Sequence, residues 1–277
     1  MSAHHNQSKR IAITGAGSGL GRALALRYAR DGWRVAVTDI QTGRARRVAG
    51  EVNDAGGEAM AQTLDTRRQS DFDQLIERLD SEWGGVDVFV NNAGVASSGT
   101  VADTPQADWD WITNINLMGV VRGCRAALPA IRASRGHIVN TASFAAIANA
   151  PGMASYNVTK AGVLSLSETL RAEERHHGVN VTVACPAFFS TNLMESFRST
   201  TPGREVLVEK LMARSGVTAD DVAGQIFDAV AAGRFLVLTH RDTRWQYRLK
   251  RLQPELFFRA VEKIARSMLK PRREEPA

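Results

Sequence analysis

Gly15, Gly19 and Gly21 stand between a short apolar run at 11–14 and an Ala/Leu/Arg-rich segment that reaches residue 31. A strand, a glycine turn and a helix in that order let backbone N–H groups approach a pyrophosphate, and the helix N-terminus adds partial positive charge there. The spacing is G-x3-G-x-G, not the G-x-G-x-x-G of the common dinucleotide fingerprint, and a merely tight connection would read the same way. Asp39 closes the second apolar run, about 20 residues beyond the glycines, where an acid hydrogen-bonds the ribose hydroxyls of an adenosine. A solvated strand-end aspartate is the alternative. A carboxylate at that position repels a 2′-phosphate and favours NAD over NADP, whereas Arg44, Arg46 and Arg47 close by keep NADP open.

With further residues added, the chain resembles the short-chain dehydrogenase/reductase family of NAD(P)-dependent oxidoreductases. The matching residues are Thr14-Gly-Ala-Gly-Ser-Gly-Leu-Gly21, Asp39, Asp65, Asn91-Asn92-Ala93-Gly94, Asn116 in NINLMG, Ser143, and Tyr156 and Lys160 in YNVTK. They occur in order over roughly residues 10–240, and together they are far more specific than any one of them. The resemblance implies hydride transfer between a nicotinamide cofactor and an alcohol or carbonyl group.

Four residues then carry catalysis. Tyr156 and Lys160 share a helix face. A tyrosine titrates near ~10, so a neighbouring ammonium and the positive nicotinamide are expected to lower it into the range of general acid/base work. Ser143 would hydrogen-bond the same substrate oxygen, and the Asn116 position would hold a water that continues a proton relay from the lysine. By the same resemblance the cofactor would meet Gly15, Ser18, Gly19, Leu20 and Gly21, then Asp39 and Ile40, and Asp65 and Thr66 at the adenine. Asn92, Ala93, Gly94, Tyr156, Lys160, Pro186 and Thr191 would complete its site. The family usually has Pro-Gly where this chain has Pro186-Ala187. Alanine disfavours positive φ, which bears on the path of 187–191 and hence on the Thr191 contact.

These residues need a frame. Short Val/Ile/Ala runs at 11–14, 33–39, 58–63, 86–91, 137–141, 179–184 and 235–239 alternate with helical segments, which implies a parallel sheet covered on both faces. The expectation is one doubly wound α/β Rossmann domain over residues 1–240, with about seven strands, followed by a C-terminal helical extension at 241–277. A single long helix is expected over 106–133, with Thr104 as N-cap and Pro105 in its first turn. Residues 142–152 are expected to be loop, and 187–216 a mobile insert. The substrate pocket is expected from Ser143, Phe144, Met153, Tyr156, Phe188, Phe189 and Leu193, with Val95, Ala96, Met194 and Phe197 nearby. That set is mostly apolar and favours a hydrophobic alcohol, ketone or long-chain aldehyde over a sugar.

Charge separates the tail from the rest. Residues 241–277 hold eleven Lys and Arg against five Asp and Glu, so the whole net charge of +6 resides there and the first 240 residues balance. This disfavours a nucleic-acid surface across the domain. Phe257, Val261, Ile264 and Met268 recur at helical spacing, with Arg259, Lys263, Arg266 and Lys270 on another face, after a break at Pro254. Packing of that stripe on its own domain or on a second subunit is preferred to membrane-surface contact. No metal site is expected. His176 and His177 close a helix before Gly178, and Cys124 and Cys185 read as small buried hydrophobes. With neither a signal-peptide core nor a membrane-spanning run, a cytoplasmic homodimer or homotetramer acting on a small molecule is the leading expectation. A membrane-surface lipid or aldehyde reductase using NADP and a non-catalytic dinucleotide sensor are the alternatives.

Overall fold

The computed structural model describes residues 9–268. The strands in chain order are β1 (Arg10–Thr14), β2 (Arg34–Asp39), β3 (Glu58–Thr63), β4 (Val88–Asn91), β5 (Ser97–Ser98), β6 (His137–Thr141), β7 (Asn180–Ala184), β8 (Arg198–Ser199) and β9 (Leu236–Val237). The helices are α1 (Gly19–Arg30), α2 (Thr42–Asp54), α3 (Gln69–Trp83), α4 (Gln106–Asn116), α5 (Met118–Ser134), α6 (Ala145–Ala148), α7 (Ala154–Glu174), α8 (Arg204–Arg214), α9 (Ala219–Ala231), α10 (Arg241–Leu252) and α11 (Pro254–Met268).

Seven strands form one parallel sheet in the order β3-β2-β1-β4-β6-β7-β9. The chain winds outward from β1 to β3, returns through α3, and winds outward again from β4. The order therefore reverses between β1 and β4, where sheets of this kind open a crevice at the strands' carboxyl ends. Alternation explains the uninterrupted apolar runs. Ala12, Ala36, Phe89 and Ile138 point to the layer holding Phe72, Val120, Ile131 and Val163. Ile11, Ile13, Val35, Val37 and Val139 point to the layer holding Leu24, Tyr28, Val48 and Ile226. Each strand is covered on both sides.

Four local expectations are corrected. The helix over 106–133 is two helices, because the backbone turns aside at Leu117 (φ −108°, ψ −59°). Pro105 is itself the residue before the helix, in extended backbone, and the Thr104 hydroxyl donates to the Thr100 carbonyl at 2.7 Å instead of capping. The loop at 142–152 contains α6. Residues 187–216 are built structure: a 3₁₀ turn at Asn192–Ser196, β8 paired with β5, and α8.

The tail is helical with its break at Pro254, but it rolls differently from the expected stripe. Phe257 is buried and Val261 half-buried, whereas Ile264 is 49% exposed; the Met268 side chain lies outside the described residues. The inward face is Phe257, Val261 and Ala265, at i, i+4 and i+8. None of the tail residues described lines the cleft between β1 and β4. Lys250 Nζ donates to the Ile147 carbonyl at 2.6 Å and fastens α10 to α6.

His137 on β6 is buried, with Nε2 2.7 Å from Thr182 Oγ1. That hydroxyl donates to the Arg234 carbonyl, so it accepts from the imidazole N–H. Burial pulls the His137 pKa down from 6.5 to about 4. Between those values the unfolded chain binds a proton that the folded chain refuses. Stability contributed by the neutral ring is thus intact above pH 6.5 and lost as pH falls toward 4. The full loss is on the order of 3 kcal/mol. Thermal melts across that window should fall more steeply for wild type than for His137→Gln; parallel curves would contradict the assignment.

Candidate active site

The glycine turn is held against the turn after β4. Gly15 and Gly19 have φ of +63° and +50°, a region that side chains strain. A Cβ on Gly15 would lie 2.9 Å from Ala93 Cα, and one on Gly21 would meet the Gly15 carbonyl and Asn92 Nδ2. Asn92 Nδ2 donates to the Thr14 carbonyl at 2.9 Å, while Thr14 Oγ1 accepts from the Asn92 and Ala93 N–H groups at 3.0 Å each. Asn91, one residue earlier, points the opposite way as strand alternation requires. Its amide donates to Asn140 Oδ1 at 2.9 Å, and the Asn140 amide donates to Ser167 Oγ at 3.0 Å. Cys124 closes this buried group, and burial pushes its thiol up to about 12.

Asp39 lies at the far end of the cleft. Its Oδ2 accepts from Gly17 N at 3.1 Å and its Oδ1 from Gln41 N at 2.9 Å. Two of the three nearby arginines are already engaged. Arg44 Nη1 is 2.7 Å from Glu195 Oε2, and Arg47 Nη2 donates to the Gly17 carbonyl at 3.0 Å. Ile40 is exposed at the rim, and Asp65 and Thr66 also line the cleft. Arg67 grips both oxygens of the Asp65 carboxylate, and that hydrogen bonding holds its pKa below the ordinary range.

At the other end, α7 carries Tyr156 and Lys160 one turn apart, both buried. Burial pulls Lys160 down to about 8, and its Nζ donates to the Thr141 carbonyl at 2.9 Å. Burial also raises the Tyr156 pKa, and a hydrogen bond with Ser143 opposes that rise. The serine hydroxyl is thus a protein group, besides the expected ammonium, that favours phenolate. Lys160 Nζ lies over the Tyr156 ring, 5.8 Å from its centre. Ser143 Oγ also accepts from Ala145 N at 3.1 Å, at the start of α6.

Asn116 is fully buried at the end of α4. Its side chain clasps Val95 twice at 2.8 Å, accepting from N–H and donating to C=O. A Cβ on Gly94 would lie 3.2 Å from Asn116 Oδ1 and 3.3 Å from Lys160 Nζ, so both side chains close on that glycine. Ala187 does not hinder the path beyond β7, because its φ is not positive. Thr191 reaches Gly19, where a Cβ would lie 3.5 Å from Thr191 Cβ.

One cleft of about 600 Å³ joins these groups. Every site residue expected from sequence lines it except Gly21, which sits beneath the turn, and Asn116, which sits behind Gly94. Pro186, Phe188 and Phe189 line it with Phe144, Met153 and Leu193. Sequence reasoning missed Trp111, Val208, Met212 and Glu195. The i,i+4 pair Val208/Met212 was the available signal, hidden in the segment read as an insert. Among the described residues no group of three His, Cys, Asp or Glu is placed to hold a metal.

A family model described as short chain dehydrogenase matches residues 9–202. A "Probable oxidoreductase EphD" of Mycobacterium tuberculosis is 36% identical over 230 residues, covering 79% of this chain but 39% of the relative. This chain therefore spans about two fifths of that relative's length. A "1-deoxy-11-beta-hydroxypentalenate dehydrogenase" of Streptomyces exfoliatus is 30% identical, with 88% of this chain and 87% of the relative covered. Among solved structures, a short chain dehydrogenase/reductase from Burkholderia phymatum in complex with NAD matches with a TM-score of 0.84. It is 31% identical, with 90% of this chain and 95% of that chain covered. A matching family model over most of the chain, a doubly wound parallel sheet and a close structural likeness together make this chain a member of the short-chain dehydrogenase family.

Proposed function

We propose that the protein is an NAD-dependent dehydrogenase or reductase acting on the hydroxyl or carbonyl group of an apolar small molecule. The observation that carries this reading is the placement of Ser143, Tyr156 and Lys160 at one end of a single cleft whose other end is Asp39. The residues fit a dinucleotide. The glycine turn leaves room where a Cβ would collide with Ala93, and the Asp39 carboxylate retains lone pairs beyond its two backbone contacts. Gly15, Ser18, Gly19 and Leu20 would hold the pyrophosphate, Asp39 and Ile40 the adenosine ribose, and Asp65 and Thr66 the adenine. Asn92, Gly94, Lys160, Pro186 and Thr191 would hold the nicotinamide half. When bound, the nicotinamide supplies the hydride acceptor or donor.

The chain's own groups handle the oxygen and its proton. Ser143 and Tyr156 hydroxyls hold the substrate oxygen between them. As the carbinol carbon is oxidised, the hydroxyl proton passes to the Tyr156 phenolate; in reduction the Tyr156 O–H returns it. Lys160, with a pKa of about 8, can give or take a proton near neutrality. Asn116 acts through position, holding the Val95 backbone and with it the wall of the pocket. The walls exclude water with Trp111, Phe144, Met153, Leu193, Phe197 and Met212, which supports an apolar substrate. NAD is favoured because the Asp39 carboxylate would repel a 2′-phosphate, while Arg44 and Arg47 are committed to Glu195 and Gly17.

Two substitutions test this reading. Tyr156→Phe keeps the ring and removes the transferable proton, so turnover of a hydrophobic secondary alcohol should fall at least ~10²-fold while NADH affinity is retained. Turnover near wild type would refute the acid/base role. Asp39→Ala should narrow or reverse a preference for NAD over NADP in kcat/KM, each tenfold corresponding to ~1.4 kcal/mol. A wild-type enzyme that prefers NADP would show that the arginines outweigh the carboxylate.

A further inference from the structure

Beside the substrate end of the cleft lies a cation with no partner among the described residues. Arg204, the first residue of α8, is only 9% exposed. Its Nε is shut off from solvent without a hydrogen-bond partner, and its guanidinium forms no ion pair with a described residue. Arg198, on β8, shows the usual state. Its Nη1 is 2.7 Å from Asp108 Oδ1, and its guanidinium lies over the Trp111 ring. Arginine is almost never buried unpaired, because a charge taken out of water without a partner is strongly destabilising. A guanidinium in this position needs an anion.

The surroundings say where that anion comes from. Val208 and Met212 follow Arg204 at i+4 and i+8 on one face of α8, and both line the cleft. A Cβ on Gly152 would lie 3.1 Å from Arg204 Nη2, and Gly152 has a φ of +75°, so the guanidinium sits where a glycine leaves room. Ala150 and Met153, on either side of Gly152, line the cleft too. Gly99 N donates to the Gly152 carbonyl at 2.9 Å, and against Gly99 stands the Thr200 hydroxyl, a second buried group without a partner. The cations that line the cleft are Lys160 beside Tyr156, and Arg44 and Arg67 at the Asp39 end. A guanidinium without a second cation beside it matches the single charge and planar fork of a carboxylate better than a phosphate dianion. We infer that Arg204 binds a carboxylate carried by the substrate, whose apolar body lies along Met153, Val208 and Met212. The substrate class is then a hydrophobic hydroxy or oxo acid, an inference that rests on the dehydrogenase reading of the cleft.

Calorimetry with simple ligands tests this apart from catalysis. Decanoate, its methyl ester and decanol share a chain and differ in the head group. The full chain should bind decanoate at least about tenfold more tightly than the ester or the alcohol, the worth of one charge-assisted hydrogen bond. That comparison needs no variant. Arg204→Met keeps an apolar stem, removes the charge and should abolish the preference. In turnover, hydroxy acids should exceed their methyl esters in kcat/KM by a similar factor. Equal wild-type binding of decanoate and decanol, or a preference that survives Arg204→Met, would overturn the proposal. So would acetate or inorganic phosphate binding as tightly as decanoate, which would make this a site for free anions. Oxidation of neutral alcohols without a preference for acids would strike the carboxylate and leave the dehydrogenase. Acid-selective binding with no turnover of any alcohol or ketone would do the reverse.

Discussion

The structure turns on the join between the carboxyl ends of β1 and β4. Two strands that are neighbours in space but far apart in sequence, Ile11 beside Val88 and Ile13 beside Val90, must end together and leave a crevice between them. The Thr14 hydroxyl and the Asn92 amide tie them, and Gly15 and Gly21 permit the approach because neither carries a Cβ. A side chain on Gly21 would collide with backbone, which cannot swing away as a flexible side chain can. Losing the Asn92 amide would take a donor from the Thr14 carbonyl, a cost of roughly 1–3 kcal/mol where that group is left unsatisfied. The cleft is therefore a by-product of how the sheet is wound and stitched.

Desolvation then sets the chemistry of that cleft. Tyr156 and Lys160 are both taken out of water, and burial works against the charged form of each, raising the tyrosine and lowering the lysine. Such a pair responds strongly to whatever charge enters the site. Ser143 is the one protein contact that offsets the rise at Tyr156. Cys185, buried beside them and pushed up to about 12, stays a neutral thiol and adds no competing anion. The break between α4 and α5 belongs to the same economy: Asn116 leaves the regular helix and uses its side chain on Val95, which carries the pocket wall.

Much of this was legible in the residues. Period-two burial, strand-helix alternation, the glycine turn and Asp39 follow from local stereochemistry and spacing, because each depends on neighbours within one or two turns, whereas the Ser143, Tyr156 and Lys160 set was legible through family resemblance. The roll of the tail was less legible. Phe257, Val261, Ile264 and Met268 form an apolar stripe on any helical wheel, but which edge faces inward depends on where α10 stands, and sequence spacing carries no such information. The same limit hid Val208 and Met212, whose segment lacks a strong periodic signal and is organised by the β5–β8 pairing.

The sequence by itself determined the α/β class, the winding order, and the residue types that could hold a dinucleotide and move a proton. Only the tertiary structure decided that Arg44 is spent on Glu195, that Ser143 reaches Tyr156, and that the long helix breaks at Leu117. Each of these is a contact between elements distant in the chain. Spacing fixes which face a side chain occupies, whereas the partner across that face is set by packing, and charge and desolvation act through the partner.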